Sequence, residues 1–280
     1  MFRTQHIQIK TDAQIDKMRA AGLVVGQTLE KLRAAVAPGV STADLDAIAE
    51  ESIRSAGAIP SFKGYHGFPA SICASVNDQV VHGIPAGAQV LRDGDLISID
   101  CGAILDGWHG DAAITVGVGP SVDPKYVEMA KVCEDAMWAG FAAARIDGRL
   151  SDISHAVERV VRAGGDYGIV TGYGGHGIGT EMHQDPHVLN YGRPGRGPKL
   201  VRGMALAVEP MITMGAPDTD ELEDGWTVVT RDGSWASHTE HTFVLTDDGP
   251  WVLTAVDGGR SRLGDAVTSR EPVSPDTRDW

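Results

Sequence analysis

The chain has 280 residues, with 24 lysines and arginines against 38 aspartates and glutamates, for a formal net charge of −14. Hydrophobic residues make up 42% and charged residues 22%, ordinary globular usage that excludes wholesale disorder and is compatible with two domains or one large one. The acidic balance argues against a general nucleic-acid or anionic-membrane surface, because counterion release needs a basic footprint, and leaves room only for a local basic patch. The cysteines Cys73, Cys101 and Cys133 are odd in number and form no CxxC pair. That argues against a disulfide framework or a cysteine zinc cluster and for a reducing compartment.

Residues 1–10 lack the apolar run of a secretory signal, and no segment approaches the ~18 uninterrupted apolar residues of a membrane span. Ile15, Met18, Gly22, Val25, Leu29, Leu32 and Val36 recur at steps of three and four and predict an amphipathic helix ending before Pro38-Gly39. A second helix starts at Ser41 as N-cap with Asp44 in its first turn, buries Leu45, Ile48, Ala49 and Ile53, and stops at Gly57. The pattern returns with Tyr126, Met129, Val132, Cys133, Ala136, Met137 and Phe141, ending near Asp147-Gly148. Ser151 then caps a helix carrying Ile153, Val157, Val160 and Val161 up to Gly164-Gly165. Residues 258–280 are rich in Gly, Ser, Arg, Asp and Pro and predict a flexible C-terminal tail.

Shifted by 108 positions, the second helix pair aligns Asp44 with Asp152, Leu45 with Ile153, Glu50 with Glu158, Arg54 with Arg162 and Gly57 with Gly165. This suggests two similar halves, about 10–120 and 121–250, within one catalytic domain over 1–257; chance alignment of two amphipathic pairs is the alternative. Runs rich in β-branched residues, Ser71 to Val76, Leu96 to Ala103, Ala112 to Val118, Ala205 to Thr213 and Thr239 to Thr246, predict strands. Helices clustered before strands give an α+β architecture.

The informative anomaly is acid inside apolar strands. Asp106-Gly107 predicts a two-residue hairpin turn, which sets Gly102 opposite Asp111 and Asp100 opposite Ala113. Both carboxylates then share one face, with Cβ atoms ~7 to 8 Å apart. A lone buried carboxylate is costly, so Asp100 demands a cation, a partner or a raised pKa. Glu209 sits in an otherwise hydrophobic run, Ala205 to Ile212, and Glu240 shares a face with Thr242 and Val244 by period two. His176 lies among Gly174, Gly175, Gly177 and Gly179, which let the backbone pack closely and leave the imidazole unobstructed. Singly, each has an ordinary structural explanation, such as a turn cap, an ion pair or a satisfied histidine. Together, four carboxylates and one imidazole suit hard or borderline divalent ions such as Mn, Fe, Co or Zn. With shared carboxylates they suit two ions ~3.5 to 4 Å apart.

Residues 172–177 formally match GxGxxG, but little helix can follow before Pro186, so a dinucleotide site is rejected. HExxH, GxSxG and the Walker phosphate loop are absent.

Asp100 and Asp111, the Gly-His176-Gly-Ile-Gly run, His183, Glu209-Pro210 and Glu240-His241-Thr242 together resemble type I methionine aminopeptidase, as do residues 64–69 and 77–85. The likeness runs from about residue 5 to 255. It implies a pita-bread fold with two pseudo-symmetric α+β halves around a dinuclear site, and removal of the initiator methionine from nascent proteins whose second residue is small. By this resemblance Asp100 binds one ion, Asp111 and Glu240 bridge both, and His176 and Glu209 bind the other. A water bridging the ions attacks the scissile carbonyl, and Glu209 shuttles a proton. His82 and His183 contact the peptide and stabilise the tetrahedral intermediate. Tyr65, Phe68, Cys73, Met182 and Trp226 fall at positions that resemble the methionine pocket lining. Phe62 departs from the small residue common at its position and implies a narrower mouth.

The resemblance further implies a short bacterial-type cytoplasmic enzyme, acting as a monomer on nascent N-termini with transient ribosome contact and no DNA or membrane partner. The acidic charge offers no visible docking patch. An X-Pro dipeptidase or aminopeptidase P shares the ligand set but usually carries a separate amino-terminal domain, for which the roughly 95 residues before Asp100 leave no room. A ligand-poor binding module is disfavoured by the five ligands.

Overall fold

The computed structural model describes residues 6–264. Helix α1 (Asp12–Ala35) buries Ile15, Met18, Val25, Leu29 and Leu32, the stripe that the three-and-four spacing predicts. Ser41 caps α2 (Thr42–Ser55) reciprocally: Asp44 N donates to Ser41 Oγ at 3.1 Å and Ser41 N to Asp44 Oδ2 at 3.0 Å. Five strands follow, β1 (Ile59–Pro60), β2 (Ile72–Val76), β3 (Gln79–Val81), β4 (Leu96–Leu105) and β5 (Trp108–Gly117). The second helix pair is α3 (Pro124–Ala143) and α4 (Leu150–Gly164). Ser151 does not cap α4. The N-cap is Arg149, whose N–H donates to Asp152 Oδ2 at 2.7 Å, while Ser151 Oγ accepts from Arg196 N in a neighbouring loop. Asp152 at the third helical position wins because its carboxylate reaches back to the free N–H, which the shorter serine does not.

The remaining strands are β6 (Gly168–Ile169), β7 (Gly175–Gly177), β8 (Gln184–Val188), β9 (Ala205–Val208), β10 (Met211–Thr213), β11 (Thr219–Glu221), β12 (Val228–Thr230), β13 (Ala236–His238), β14 (Glu240–Thr246) and β15 (Gly249–Val252). The largest sheet runs β1-β4-β5-β14-β9-β7-β8, with β2 also on β4 and β15 also on β14. Two small sheets, β13-β10-β6 and β11-β12-β3, stand beside it. The first helix pair packs Val25, Leu29, Leu45 and Ile53 on Ile72, Ile97 and Ile99. The second packs Met129, Phe141, Ile153 and Val157 on Leu206, Val208 and Phe243.

The predicted strand from Ala205 to Thr213 is two strands in two sheets, because Pro210 has no N–H for a ladder and the chain turns at Glu209-Pro210. The run predicted from Thr239 to Thr246 is β14, which Thr239 separates from β13. The first residues of the expected tail, 258–264, are packed against the rest of the chain. Asp257 accepts from Gly259 N and Ser261 N, both at 2.8 Å, and winds residues Arg260–Leu263 into a helical turn, α5. Arg262 then pairs with Glu134 of α3 at 3.1 Å and Leu263 packs on the second core. The rest of the expected tail, 265–280, lies outside the described residues. Among the described residues no helix is long and apolar enough to cross a membrane.

Candidate metal centre

Asp106 (φ 50) and Gly107 (φ 79) both take positive φ, the requirement of a tight hairpin whose twist matches its strands. The turn locks β4 to β5 in the register expected from sequence, Gly102 opposite Asp111 and Asp100 opposite Ala113. The next strand continues the row. Ala113 also pairs with Glu240 on β14, and Cys73 on β2 pairs with Asp100. On the other side of β14, His241 pairs with Val208, so the same register carried one place further sets Glu209 beside Glu240. A single row across five strands therefore reads Cys73, Asp100, Ala113, Glu240, Glu209. The neighbouring row on the same face, two residues along each strand, holds Gly102, Asp111, Thr242 and Ala207, and the pairing of Gly177 with Leu206 brings His176 to its end. Small residues between the acids leave room for them to converge. The glycines beside His176 serve the approach: a Cβ on Gly175 would collide with Ala207 O, and one on Gly177 with Asp185 O.

The converging atoms are buried and unsatisfied. Asp111 is 3% exposed and Glu240 2%, and Asp100 Oδ1, Asp111 Oδ1 and Glu240 Oε1 have no hydrogen-bond partner. His176 Nε2 lies 3.5 Å from Glu209 Oε1 and 4.0 Å from Glu240 Oε1. These separations are long for hydrogen bonds but match donors that share an ion with bonds of about 2.1 Å. Burial pushes Asp100 up to about 7 and lifts Asp111, Glu209 and Glu240 well above the carboxylate range, the last three also through the charge of Asp100 and of one another. Four such acids cannot ionise together without a cation. Burial holds His176 down to about 3, so the imidazole is neutral, and its Nδ1 faces Gly177 O at 3.0 Å, which turns Nε2 towards the acids. Asp111, His176 and Glu240 form one group able to hold an ion, and Glu209, His238 and Glu240 a second. The donor set fits hard or borderline divalent metal.

All thirteen site residues expected from sequence border one cavity of about 260 Å³. Phe62, Phe68, Cys73 and Met182 pack as an apolar cluster joined by Tyr65 and Trp226, and Phe68 meets Trp226 edge-on at 5.1 Å. Tyr65 Oη lies 2.9 Å from His183 Nδ1. His82, with φ 59, is held neutral with a pKa near 4, chiefly by burial and then by His183.

The same cavity is lined by residues that the sequence reading did not single out, among them Val81, Tyr173, His187, Met211 and His238. A signal for His238 exists: period two, which groups Glu240 with Thr242, reaches back to it. One surface turn is also rich in arginine, though it carries Asp147 and Asp152 as well. Arg145 and Arg149 at the α3–α4 turn adjoin Arg193 and Arg196 of the 192–199 loop, which is laced to the turn by Ser151 N to Arg196 O at 3.1 Å and Leu150 N to Pro198 O at 2.9 Å. All four arginines are exposed and, among the described residues, no carboxylate lies within 4.0 Å of them. Net charge conceals this patch because it is only four residues in a chain of −14.

The profile of metallopeptidase family M24 matches residues 16–247, most of the chain and every acid of the two rows. The chain belongs to this family. Methionine aminopeptidase 1 of Mycobacterium tuberculosis is 56% identical over 250 residues, 88% of this chain and 94% of that protein. The crystal structure of methionine aminopeptidase from Rickettsia prowazekii superposes with a TM-score of 0.86 at 42% identity, over 89% of this chain and 100% of that one. The prolidase from Pyrococcus furiosus shares the fold at a TM-score of 0.71 and 21% identity, but the match covers only 65% of it. The fold is thus the family's pita-bread fold.

Proposed function

We propose that this protein is a methionine aminopeptidase that removes the initiator methionine from nascent polypeptides whose second residue is small. The observation that carries the reading is an apolar pocket of Phe62, Phe68, Cys73 and Met182 that shares one cavity with the convergent acids. A thioether side chain suits such a lining of rings and sulfur. The identity to methionine aminopeptidases over nearly the full length of those proteins supports it.

Asp100 would hold one divalent ion, Asp111 and Glu240 would be shared by two, and His176 with Glu209 would hold the second, the metal being Co, Mn, Fe or Zn. Bound there, the ions supply Lewis-acid chemistry that brings the pKa of a water towards neutrality and polarises the scissile carbonyl. Glu209, whose carboxyl is raised by burial, moves the proton from the attacking water to the leaving amine. His82 and His183 are neutral donors for the developing oxyanion. The Tyr65 hydroxyl, 2.9 Å from Nδ1, orients the His183 ring, and the donor role proposed here requires the tautomer with its proton on Nε2. Tyr65, Phe68, Cys73, Met182 and Trp226 grip the methionine side chain, and Phe62 narrows the mouth.

One catalytic domain of two halves, about 10–120 and 121–250, accounts for two helix pairs that each carry a core of their own. A cytoplasmic setting agrees with three free, buried cysteines. Ribosome contact would use the arginine patch, and the protein would act as a monomer. The test is to strip the protein with chelator, restore Mn(II) or Co(II), and compare Met-Ala-Ser with Ala-Pro peptides. Metal-dependent release of free Met, with little action on Ala-Pro, is expected. Preferential X-Pro cleavage would instead assign a prolidase activity, and no turnover with metal restored would assign a binding role.

A further inference from the structure

His238 is 2% exposed, faces the metal centre, and has no hydrogen-bond partner for Nε2. Leaving a buried ring nitrogen unpaired costs free energy, so the position asks what the nitrogen is for. Its nearest charged neighbour is Glu209, whose Oε2 lies 3.7 Å away, while Oε1 of the same carboxylate lies 3.5 Å from His176 Nε2. Each oxygen of Glu209 thus faces a different imidazole. The main chain beneath the ring is fixed by a bracket of hydroxyls across β4 and β5. His238 N donates to Ser98 Oγ and Thr115 Oγ1, both at 3.2 Å, and Thr115 Oγ1 donates to His238 O at 2.7 Å. Ser98 Oγ and Ser237 Oγ, 2.9 and 3.0 Å from Thr115 Oγ1, donate to it in turn. Asn190 Nδ2 anchors the other side, donating to Glu209 O at 2.9 Å. Both backbones are thus held by hydrogen bonds, and Oε2 lies about half an ångström beyond ordinary hydrogen-bond distance.

We propose that His238 is a positioning residue: its imidazole N–H, held by the Ser98–Thr115 bracket, engages Oε2 of Glu209 and keeps Oε1 turned towards His176 and the ion they share. Outer partners of this kind orient ligating carboxylates and set metal affinity. The inference rests on the metal-centre reading and adds to it a residue outside the five expected ligands.

The test is calorimetric titration of the chelator-stripped protein with Mn(II) or Co(II), for wild type, His238→Ala, His238→Asn and His238→Gln, with the melting of each apo protein as a control for folding. Alanine and the short asparagine should weaken one of the metal sites by on the order of 10- to 100-fold. Glutamine, whose amide N–H reaches a comparable distance, should restore most of that affinity. Steady-state kinetics at saturating metal should show the loss in kcat more than in KM, since the methionine pocket is untouched. Wild-type affinity in His238→Ala or His238→Asn, or a folded His238→Gln no tighter than alanine, overturns the proposal. Absence of divalent ion from the wild type itself would overturn the metal-centre reading and this inference with it.

Discussion

Phe62 rests against the bare Cα of Gly102: a Cβ built on that glycine would stand 2.7 Å from Phe62 Cε1 and 2.9 Å from Ser61 Cβ. The glycine that faces Asp111 across the hairpin is thus also the floor on which the pocket wall is seated. Phe62→Ala removes the wall. It should relax discrimination between methionine and bulkier first residues by about 1–3 kcal/mol, read as the ratio of kcat/KM for Met-Ala-Ser and Phe-Ala-Ser. An unchanged ratio would mean that Phe62 does not bound the pocket.

Asp111 has one unsatisfied buried oxygen and stands between Asp100 and the end of the row that leads to His176. Asp111→Ala should bind less than two equivalents of metal by elemental analysis and lose activity by several orders of magnitude, as expected when a shared ligand is removed. Two bound ions with normal turnover would refute its shared role.

How much of this was legible in sequence differs from residue to residue. Asp100 and Asp111 were readable together because a two-residue turn with positive φ at both positions dictates register, and register dictates face. Glu209 and Glu240 were readable as misplaced acids, yet not as neighbours. Their adjacency depends on β14 pairing between β9, some thirty residues earlier, and β5, more than a hundred residues earlier, non-local contacts that no local pattern encodes. The continuous strand expected around Glu209 is broken at Pro210, where the chain passes from the large sheet to a small one, whereas the strand expected to carry Glu240 is present as β14. His238 lies outside the strand predicted from Thr239 to Thr246, so the period that groups Glu240 with Thr242 was not carried back to it. The cap of α4 was misassigned because Ser151 and Asp152 both suit a helix start and only geometry chooses between them.

Lys10 is 3% exposed, and its ammonium donates to Gln8 O at 2.9 Å and Gln184 Oε1 at 3.4 Å without a carboxylate. Burial lowers its pKa from 10.5 to about 8. Between those values the unfolded chain holds a proton that the native state has shed, so stability rises with pH across the window; below about 8 the full penalty applies. Lys10→Met should therefore melt higher than wild type at pH 7, by an amount no larger than about 3 kcal/mol, and the gap should close towards pH 10.5. A gap independent of pH would show that the ammonium is solvated.

Arg19 is 1% exposed, and its guanidinium donates to the carbonyls of Leu253 and Ala255 at 2.6 Å and Val256 at 2.8 Å, tying the chain after β15 to α1. Arg19→Met keeps the stem but strands these carbonyls. It should cost about 3–5 kcal/mol and lower the melting temperature by about 10 °C. A loss below 1 kcal/mol would indicate that water replaces the guanidinium.

The arginine patch lies on the α3–α4 turn, away from the residues that border the cavity. Arg149→Glu combined with Arg196→Glu should weaken co-sedimentation with ribosomes and flatten its salt dependence, while tripeptide hydrolysis stays unchanged. Equal co-sedimentation at every salt concentration would dismiss the patch as a docking surface.

The five-strand row of acids and small residues also constrains when the protein can become active. Asp100 and Asp111 come from one early hairpin, but Glu240 enters only when β14 slots between β5 and β9. A growing chain that has not yet released β14 from the ribosome has the pocket wall and three of the four acids but no closed row. With the ligand set proposed above, tight divalent-ion binding would be a late event in biogenesis, and uptake of metal would report that both halves have joined. A chain truncated anywhere before residue 240 would be unable to cleave its neighbours while still incomplete.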